Sequence, residues 1–300
     1  MHTLKSAALA AFTMASGAVS AQAQITIQTV AVGNVGNAAD ASTYGAVAYS
    51  YNIGTYEVTN TQYVAFLNAV AATVTFGLNN TNMGSQVFGG ITRANGPGSY
   101  TYATKTGFEN KPVNYVSFWD ATRFANWMNN GQGSGSTETG SYTLGGVLNP
   151  ENASVSRNVG ANWVVASENE WYKAAYYSPD RGGPGVGGYW LHATQSTTLA
   201  NNTDFTATNG ANYDDGDYAN GGFSGPGTTN VGAYSNADSY YGTFDQGGNL
   251  FEWNESINGS VRGLRGGSWD FVELSLRSSG RLATDATGEF ISVGFRVASL

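Results

Sequence analysis

Two acidic residues lie close together in the stretch DQGGNLFEWNES, which runs from Asp245 to Ser256. Asp245 and Glu252 flank a Gly-Gly-Asn turn, in a chain whose charged residues make up only 11% of the total. Carboxylates beside turn carbonyls are the hard oxygen ligands that a cation such as calcium prefers. Ordinary turn chemistry is the alternative, with Asp245 starting a turn and Glu252 paired with an arginine such as Arg262 or Arg265. The stretch alone leaves both interpretations open.

Other residues that commonly carry out catalysis are scarce. The chain has no cysteine and two histidines, of which His2 lies in the first few residues. These counts exclude disulfides, thiolate metal sites, a cysteine nucleophile, a histidine-based triad and a two-histidine metal site. The other histidine, His192, lies in GGYWLHATQS between aromatic and turn residues. We expect it to be a packed structural residue.

The composition indicates a folded domain with many loops. Glycine accounts for 41 of 300 residues and aromatic residues for 13%, whereas disordered chains lack aromatic residues. The formal net charge is -8, and no cluster of lysine and arginine occurs. Nucleic acid is therefore not an expected partner, because the phosphate backbone requires a basic face.

The N-terminus has the pattern of a secretory signal peptide. A short positive region with Lys5 precedes a run of small and apolar residues and the cleavage pattern Ala21-Gln22-Ala23. We expect cleavage after Ala23, which would leave residues 24–300 as the mature chain in the periplasm or outside the cell. A buried N-terminal helix is the alternative. No later segment has the ~18 apolar residues of a membrane span.

Amphipathic periodicity predicts three helices. The first has Thr59 as its cap, with apolar residues at i, i+3, i+4 and i+7 from Tyr63. The second has Ser117 as its cap and an inner face that includes Phe124. The third begins with a capping box formed by Ser167 and Glu170.

The remaining sequence predicts short strands and long loops. Alternation around Ile25 and Ile27, and again from Tyr49 to Ile53, predicts strands near the N-terminus. Regular patterning is missing from residues 178–236, and short strand-like runs follow. Because no linker or internal repeat divides the chain, we predict one α+β domain.

Six motifs in order give the chain a resemblance to a known family. They are EVTNTQY, PVNYVSFWDATRFANWM, ASENEWYKAAYY, YGTFDQGGNLFEWNE, RGLRGGSW and GFRVA. The region from Tyr51 to Ala298 resembles the sulfatase-modifying factor family, whose best-known member is the formylglycine-generating enzyme. This resemblance implies a variant of the C-type lectin-like fold, with little regular secondary structure and with bound calcium.

The resemblance also implies calcium ligands. In the family, the turn that matches DQGGNLFEW wraps a calcium ion. Carried over to this sequence, the ligands would be the side chains of Asp245 and Glu252 and the backbone carbonyls of Gly248 and Leu250. This ligand set supplies the hard oxygens that calcium requires.

A second, earlier calcium site of the family would begin at Asn212 and Tyr213. The aspartate that should complete it is missing from the matching GGFSGPG segment. Either the nearby acids Asp214, Asp215 and Asp217 replace it, or they form a solvated acidic loop. Their spacing is not that of an EF-hand loop.

The catalytic ligands of the family are missing. The formylglycine-generating enzyme holds copper with two cysteines just after its G-G-S segment, and the related iron enzymes need three histidines. Here Glu273 and Ser275 cannot replace the soft thiolates that Cu(I) selects. Ser268 matches the active-site serine of the family but has no adjacent base, so a turn residue is its expected role. We therefore expect neither copper nor iron.

Arginines of the C-terminal motifs are expected to lock the fold by pairing with buried acids. These arginines are Arg265, Arg277, Arg281 and Arg296, and the glutamates expected to pair with them are Glu57, Glu170 and Glu252.

These observations favour a non-catalytic binding module for a protein or glycan, stabilised by calcium. The long loops are rich in Tyr, Asn, Ser and Gly, a composition that suits recognition. The candidate contact residues are Tyr189, Trp190, Tyr213, Tyr218, Tyr240, Tyr241 and Ser268, each of which could instead belong to a local core. An oxidoreductase of the formylglycine-generating type with unrecognised ligands and a structural envelope protein are the alternatives.

Overall fold

The computed structural model describes residues 24–199, 202–214 and 227–300. The predicted signal peptide, Asp215, Asp217 and Tyr218 lie outside the described residues. The α-helices in these ranges are α1 (Asn60–Val70), α2 (Asn82–Ser85), α3 (Phe118–Asn129) and α4 (Glu168–Tyr176). The strands are β1 (Thr29–Val32), β2 (Tyr51–Gly54), β3 (Ile91–Ala94), β4 (Thr101–Thr104), β5 (Trp163–Val165), β6 (Tyr177–Ser178), β7 (Gly188–Tyr189), β8 (Phe251–Asn258), β9 (Val261–Arg265), β10 (Leu282–Asp285), β11 (Val293–Gly294) and β12 (Val297–Ser299).

The three predicted helices are confirmed as α1, α3 and α4, and each begins with a capping box. Thr59, Ser117 and Ser167 accept a hydrogen bond from the backbone three residues ahead, and the side chain at that position bonds back to the cap. This arrangement satisfies backbone N–H groups that the first turn leaves without partners. None of the helices in the described part of the chain is long and apolar enough to cross a membrane.

The short helix α2 was not predicted from the sequence. It contains only four residues, Asn82–Ser85, and the side chain of Thr81 does not cap it. One turn of helix gives no periodicity to detect, and the glycine within it opposes helix formation.

Two four-stranded sheets, with strand orders β1-β2-β12-β5 and β10-β9-β8-β11, form the framework. The strand predicted around Tyr51 and Ile53 is confirmed as β2, but the strand predicted at Ile25 and Ile27 is wrong, because β1 begins at Thr29. Ile25 instead exchanges backbone hydrogen bonds with the side chain of Gln132, which removes it from the sheet ladder.

Aromatic residues from α1, α3 and the segment before β12 form the centre of the core. The rings of Phe66 and Phe124 lie 5.4 Å apart at 77°, and the rings of Phe124 and Phe295 lie 5.4 Å apart at 73°. Edge-to-face pairs of this kind add to the stabilisation from burial. The core therefore joins both helices to the C-terminal part of the domain.

Asp120, whose side chain completes the capping box of α3, is buried close to the carboxyl group of Glu289. Burial, and next the carboxylate of Glu289, raise the pKa of Asp120 from 3.8 to about 7. The folded chain therefore keeps a proton that the unfolded chain releases above pH 3.8. This group contributes stability at low pH, and that contribution is lost as the pH rises toward 7.

Between pH 5 and pH 8, the free energy of unfolding should fall by on the order of 2 kcal/mol less in Asp120→Asn than in the unaltered protein. The amide oxygen can still accept the backbone N–H of Ser117, which the carboxylate accepts at 2.8 Å. Urea denaturation at both pH values measures the difference. Asp285→Asn is the control, because hydrogen bonds from Thr287 lower the pKa of Asp285 below its ordinary 3.8. An unchanged pH dependence in Asp120→Asn would contradict the prediction.

Candidate functional site

The turn from Asp245 to Glu252 is built from residues in left-handed conformations. Asp245 has a φ of 60°, Gly248 of 99° and Asn249 of 60°. The turn is held against the preceding loop, since the backbone N–H of Asn249 donates to the carbonyl of Asn212 at 2.8 Å. Asn212, the first residue of the second predicted calcium site, therefore lies directly against the turn that forms the first predicted site.

Glu252, the second acid of the turn, is fully buried and bound by a guanidinium. Its carboxylate accepts two hydrogen bonds from Arg296, at 2.6 and 2.7 Å, and one from the indole N–H of Trp171 at 2.8 Å. Arg296 is therefore its arginine partner, instead of Arg262 or Arg265. Bidentate pairing of this kind is strong when both groups are removed from water.

Three carboxylates surround the single guanidinium of Arg296. Glu57 and Asp245 both interact electrostatically with Arg296 and with Glu252. Burial, and then the nearby Asp245 and Glu252, raise the pKa of Glu57, while burial raises the pKa of Asp245 to about 6. The raised pKa values mean that these carboxyls hold protons more readily than isolated ones do, because one guanidinium cannot balance three ionised carboxylates.

A hard cation at the turn would stabilise the ionised forms of these carboxyls. One oxygen of Asp245 accepts the backbone N–H of Gly232 at 2.6 Å, while Glu252 is already neutralised by Arg296. Among the described residues, no three histidine, aspartate or glutamate side chains are grouped so as to hold a metal ion. An ion here would therefore depend on Asp245 and on backbone carbonyls, including those of Gly248 and Leu250.

The other arginines of the C-terminal motifs also pair with glutamates. Arg265 and Arg281 both contact Glu168 at 2.7 Å, and Arg277 pairs with Glu273 at 2.8 Å. Of the glutamates expected as partners, Glu170 pairs with Arg157 and Glu57 accepts hydrogen bonds from Asn249 and Leu250. The expected pairing with buried acids is confirmed for Arg265, Arg281 and Arg296 but not for Arg277, whose partner Glu273 is partly exposed. Most of the partners differ from those predicted.

An open cavity of about 640 Å³ lies between the segment around Asp40 and the strand pair β6–β7. Its walls include Tyr177, Arg181, Tyr189 and Trp190. The guanidinium of Arg181 lies 4.1 Å from the centroid of the Trp190 ring. A volume of this size falls within the range of small-molecule sites, and the walls combine aromatic and polar side chains.

The candidate contact residues do not all lie together. Tyr189 and Trp190 line this cavity, whereas Tyr213 lines a second one of about 430 Å³ with Glu273 and Arg277. Tyr240 and Tyr241 pack against each other with ring centroids 5.2 Å apart, and Tyr240 is exposed. Tyr218 lies outside the part of the chain that the structure describes.

Sequence reasoning missed Asp40, Tyr177 and Arg181 as cavity residues. The cavity joins segments far apart in the sequence, and no local pattern links them. Arg181 carried a usable signal, because it is an arginine outside the recognised motifs in a chain that is poor in charge.

A comparison with protein families settles the assignment, since the sulfatase-modifying factor enzyme 1-like domain matches residues 12–299. This chain belongs to the sulfatase-modifying factor family. Solved structures agree with the C-type lectin-like α+β fold expected from the sequence. Treponema denticola variable protein 1 is 16% identical with a TM-score of 0.56, and the match covers 93% of this chain and 97% of the Treponema protein. CarF is 21% identical with a TM-score of 0.56, and the match covers 91% of this chain and 98% of CarF. No curated protein matches.

The segment that holds the catalytic ligands in the formylglycine-generating branch of the family is only partly buried here, since Ser268 and Leu276 are buried whereas Phe271 and Leu274 are exposed. Ser268 is fully buried and donates to Asp270 at 2.6 Å. The buried His192 lies 3.0 Å from Glu273, and its pKa is lowered by burial, against the effect of the carboxylate. These contacts tie the segment to the loop that precedes it.

Proposed function

We propose that the chain is an exported, non-catalytic member of the sulfatase-modifying factor family that binds a protein or glycan through the cavity between Asp40 and β6–β7. The observation that carries this proposal is the cavity itself, because its walls come from loops fixed on a packed frame. Such loops are where recognition residues concentrate in folded domains.

The aromatic wall of the cavity is pre-organised. The rings of Tyr177 and Tyr189 lie 5.2 Å apart at 65°, and the hydroxyl of Tyr189 donates to the carbonyl of Ala38 at 2.8 Å. Side chains that are already held in place lose little entropy when a ligand binds. This arrangement supports binding without any rearrangement of the wall.

The absence of cysteine from the whole sequence supports a non-catalytic role. Copper chemistry of the family type needs thiolate ligands, and the chain has none to offer. Ser268 has its hydroxyl bound to Asp270 and no surface exposure, which suits a structural residue of the turn.

We further propose calcium at the Asp245 turn, held by Asp245 with the carbonyls of Gly248 and Leu250, beside Glu252. The ion would supply positive charge next to carboxylates that Arg296 alone does not balance. It would also fix loop backbone that contains little regular structure. The segment at Asn212 and Tyr213 packs on the same turn and would be stabilised with it.

The test is a capture experiment with residues 24–300 immobilised. Envelope extract and culture fluid of the source organism are passed over the protein with calcium in one arm and a chelator in the other. We expect a defined partner that is retained with calcium and released by the chelator. Asp245→Asn should lose the partner even with calcium, because an amide is a weaker calcium ligand than a carboxylate.

The exposed Asp204 provides the matched control, since its side chain likewise accepts a backbone N–H, from Thr206 at 2.9 Å. Asp204→Asn should behave as the unaltered protein does. Melting curves in both arms separate the two parts of the proposal: an unchanged melting temperature with chelator contradicts calcium binding. Failure to capture any partner in either arm contradicts the binding function and favours a structural role.

A further inference from the structure

Arg181 has no acidic partner among the residues that the structure describes. Most of the other described arginines pair with a glutamate, as Arg123 does with Glu138 at 2.8 Å. Among the residues that the structure describes, no carboxylate lies within ion-pair distance of Arg181, and its Nε is buried without a hydrogen-bond acceptor. The indole nitrogen of the adjacent Trp190 is also buried without an acceptor. Two neighbouring donor atoms beside the cavity therefore lack an acceptor within the described part of the chain.

The guanidinium of Arg181 is held in a position from which its N–H groups can donate to a ligand. It stacks on Trp190 at 4.1 Å, which fixes one face of the group while its edge carries the N–H donors. A planar fork of N–H groups matches the two oxygens of a carboxylate. Because the chain has a formal net charge of -8, attraction of anions must come from a local feature such as this one.

Asp40, on the same cavity wall, is already supplied with hydrogen bonds. Its carboxylate accepts from the backbone of Ser42 at 2.7 Å and from the hydroxyl of Tyr172. Hydrogen bonds from Ser42 and Tyr172 lower the pKa of Asp40 despite the opposing effect of burial. The oxygen bound by Tyr172 accepts only that one hydrogen bond from the described residues, so it has room for a ligand hydroxyl, and the negative charge repels a second acidic group.

The remaining lining adds hydroxyl groups and aromatic surface. Ser278 and Thr197 border the cavity along with Tyr189 and Trp190. A saccharide carries many hydroxyls and presents C–H groups to aromatic rings, whereas an acidic peptide side chain offers Asp40 no donor. With about 640 Å³, the cavity has room for a small saccharide.

We propose that this cavity binds a saccharide that bears a carboxylate, of the uronic-acid class, with the carboxylate on Arg181 and the hydroxyls toward Asp40. This assignment rests on the proposed binding function and names the ligand class of that same site. None of the residues named for the calcium turn lines the cavity, so calcium would act on saccharide binding only indirectly, by stabilising the fold that holds the cavity walls.

The test is isothermal titration calorimetry of residues 24–300 with digalacturonate and with galactobiose, which differ in having carboxylates or hydroxymethyl groups. We expect digalacturonate to bind at least about tenfold more tightly than galactobiose, because a charge-assisted hydrogen bond contributes enough free energy for that ratio. Arg181→Gln should remove this preference, and Arg181→Lys should keep only part of it. Arg93→Gln is the matched control, since Arg93 also stacks on a ring, that of Tyr100 at 4.5 Å, but does not line the cavity.

Several results would overturn the assignment. Equal affinity for both disaccharides, no binding of either, or digalacturonate binding that survives Arg181→Gln would each do so. Tighter binding of a triglutamate peptide that competes at Arg181 would replace the saccharide with an acidic peptide. If the capture experiment yields a partner that Arg181→Gln still retains, the binding function stands and this site assignment fails. If neither experiment detects a ligand, both fail.

Discussion

Arg296→Gln is expected to lower the free energy of unfolding by about 3–5 kcal/mol, the usual cost of removing one partner of a buried ion pair. Both Arg296 and Glu252 have side chains with 0% exposure. The substitution leaves Glu252, Glu57 and Asp245 close together without the cation that now lies among them. It also removes donors to the carbonyls of Gly54 and Phe244. Urea denaturation monitored by tryptophan fluorescence measures the loss.

Arg277→Gln is the control for this prediction. Arg277 pairs with Glu273 on the surface, where the two side chains are 34% and 33% exposed. Exposed pairs of this type contribute only about 0–1 kcal/mol, because water and salt screen them. Similar losses in the two variants would show that burial of the Arg296 pair does not control stability.

Gly248→Ala is expected to cost more than about 3 kcal/mol, because two effects add at this residue. Its φ of 99° is unfavourable for a residue with a side chain, and a Cβ there would collide with the carbonyl oxygen of Asn212. The obstructing atom belongs to the backbone, so a rotamer change cannot relieve the clash. Overpacking alone typically costs about 1–3 kcal/mol, and the left-handed conformation adds about 1–2 kcal/mol. Thermal unfolding, combined with urea denaturation at one temperature, provides the measurement.

Gly259→Ala separates the two effects. Gly259 also has a left-handed φ, of 61°, but no atom lies within 4 Å of the position a Cβ would take. We expect a cost of about 1–2 kcal/mol from the backbone conformation alone. A loss in Gly248→Ala no greater than in Gly259→Ala would mean that the loop at Asn212 yields easily, contrary to its close packing.

The sequence was most informative where the forces are local. The helices α1, α3 and α4 were predictable because each combines a capping box with an apolar face, both of which lie within a few residues of each other. The order of the motifs was enough to predict the family and its fold. The turn at Asp245 was recognisable from its glycines, since a left-handed φ favours glycine.

Pairings between distant segments were less predictable. Pairing of Glu252 with an arginine was one of the two interpretations that the sequence left open, but the choice among several arginines depends on which strands become neighbours. The hydrogen bonds between Ile25 and Gln132 span a separation of 107 residues, and they displaced an apparent strand. The cavity around Arg181 likewise depends on contact with the Asp40 segment. Such features follow from tertiary packing and not from local propensity.

The strand order β1-β2-β12-β5 has a consequence for how the protein is made. Strand β12 lies inside this sheet between β2 and β5, yet it follows both of them along the chain. During synthesis β2 and β5 emerge first and have no common neighbour until residue 299 has been added. Until then the sheet cannot close, and Arg296 has not yet reached Glu252. A chain with this topology cannot complete the sheet while it grows, a property that suits the export proposed above.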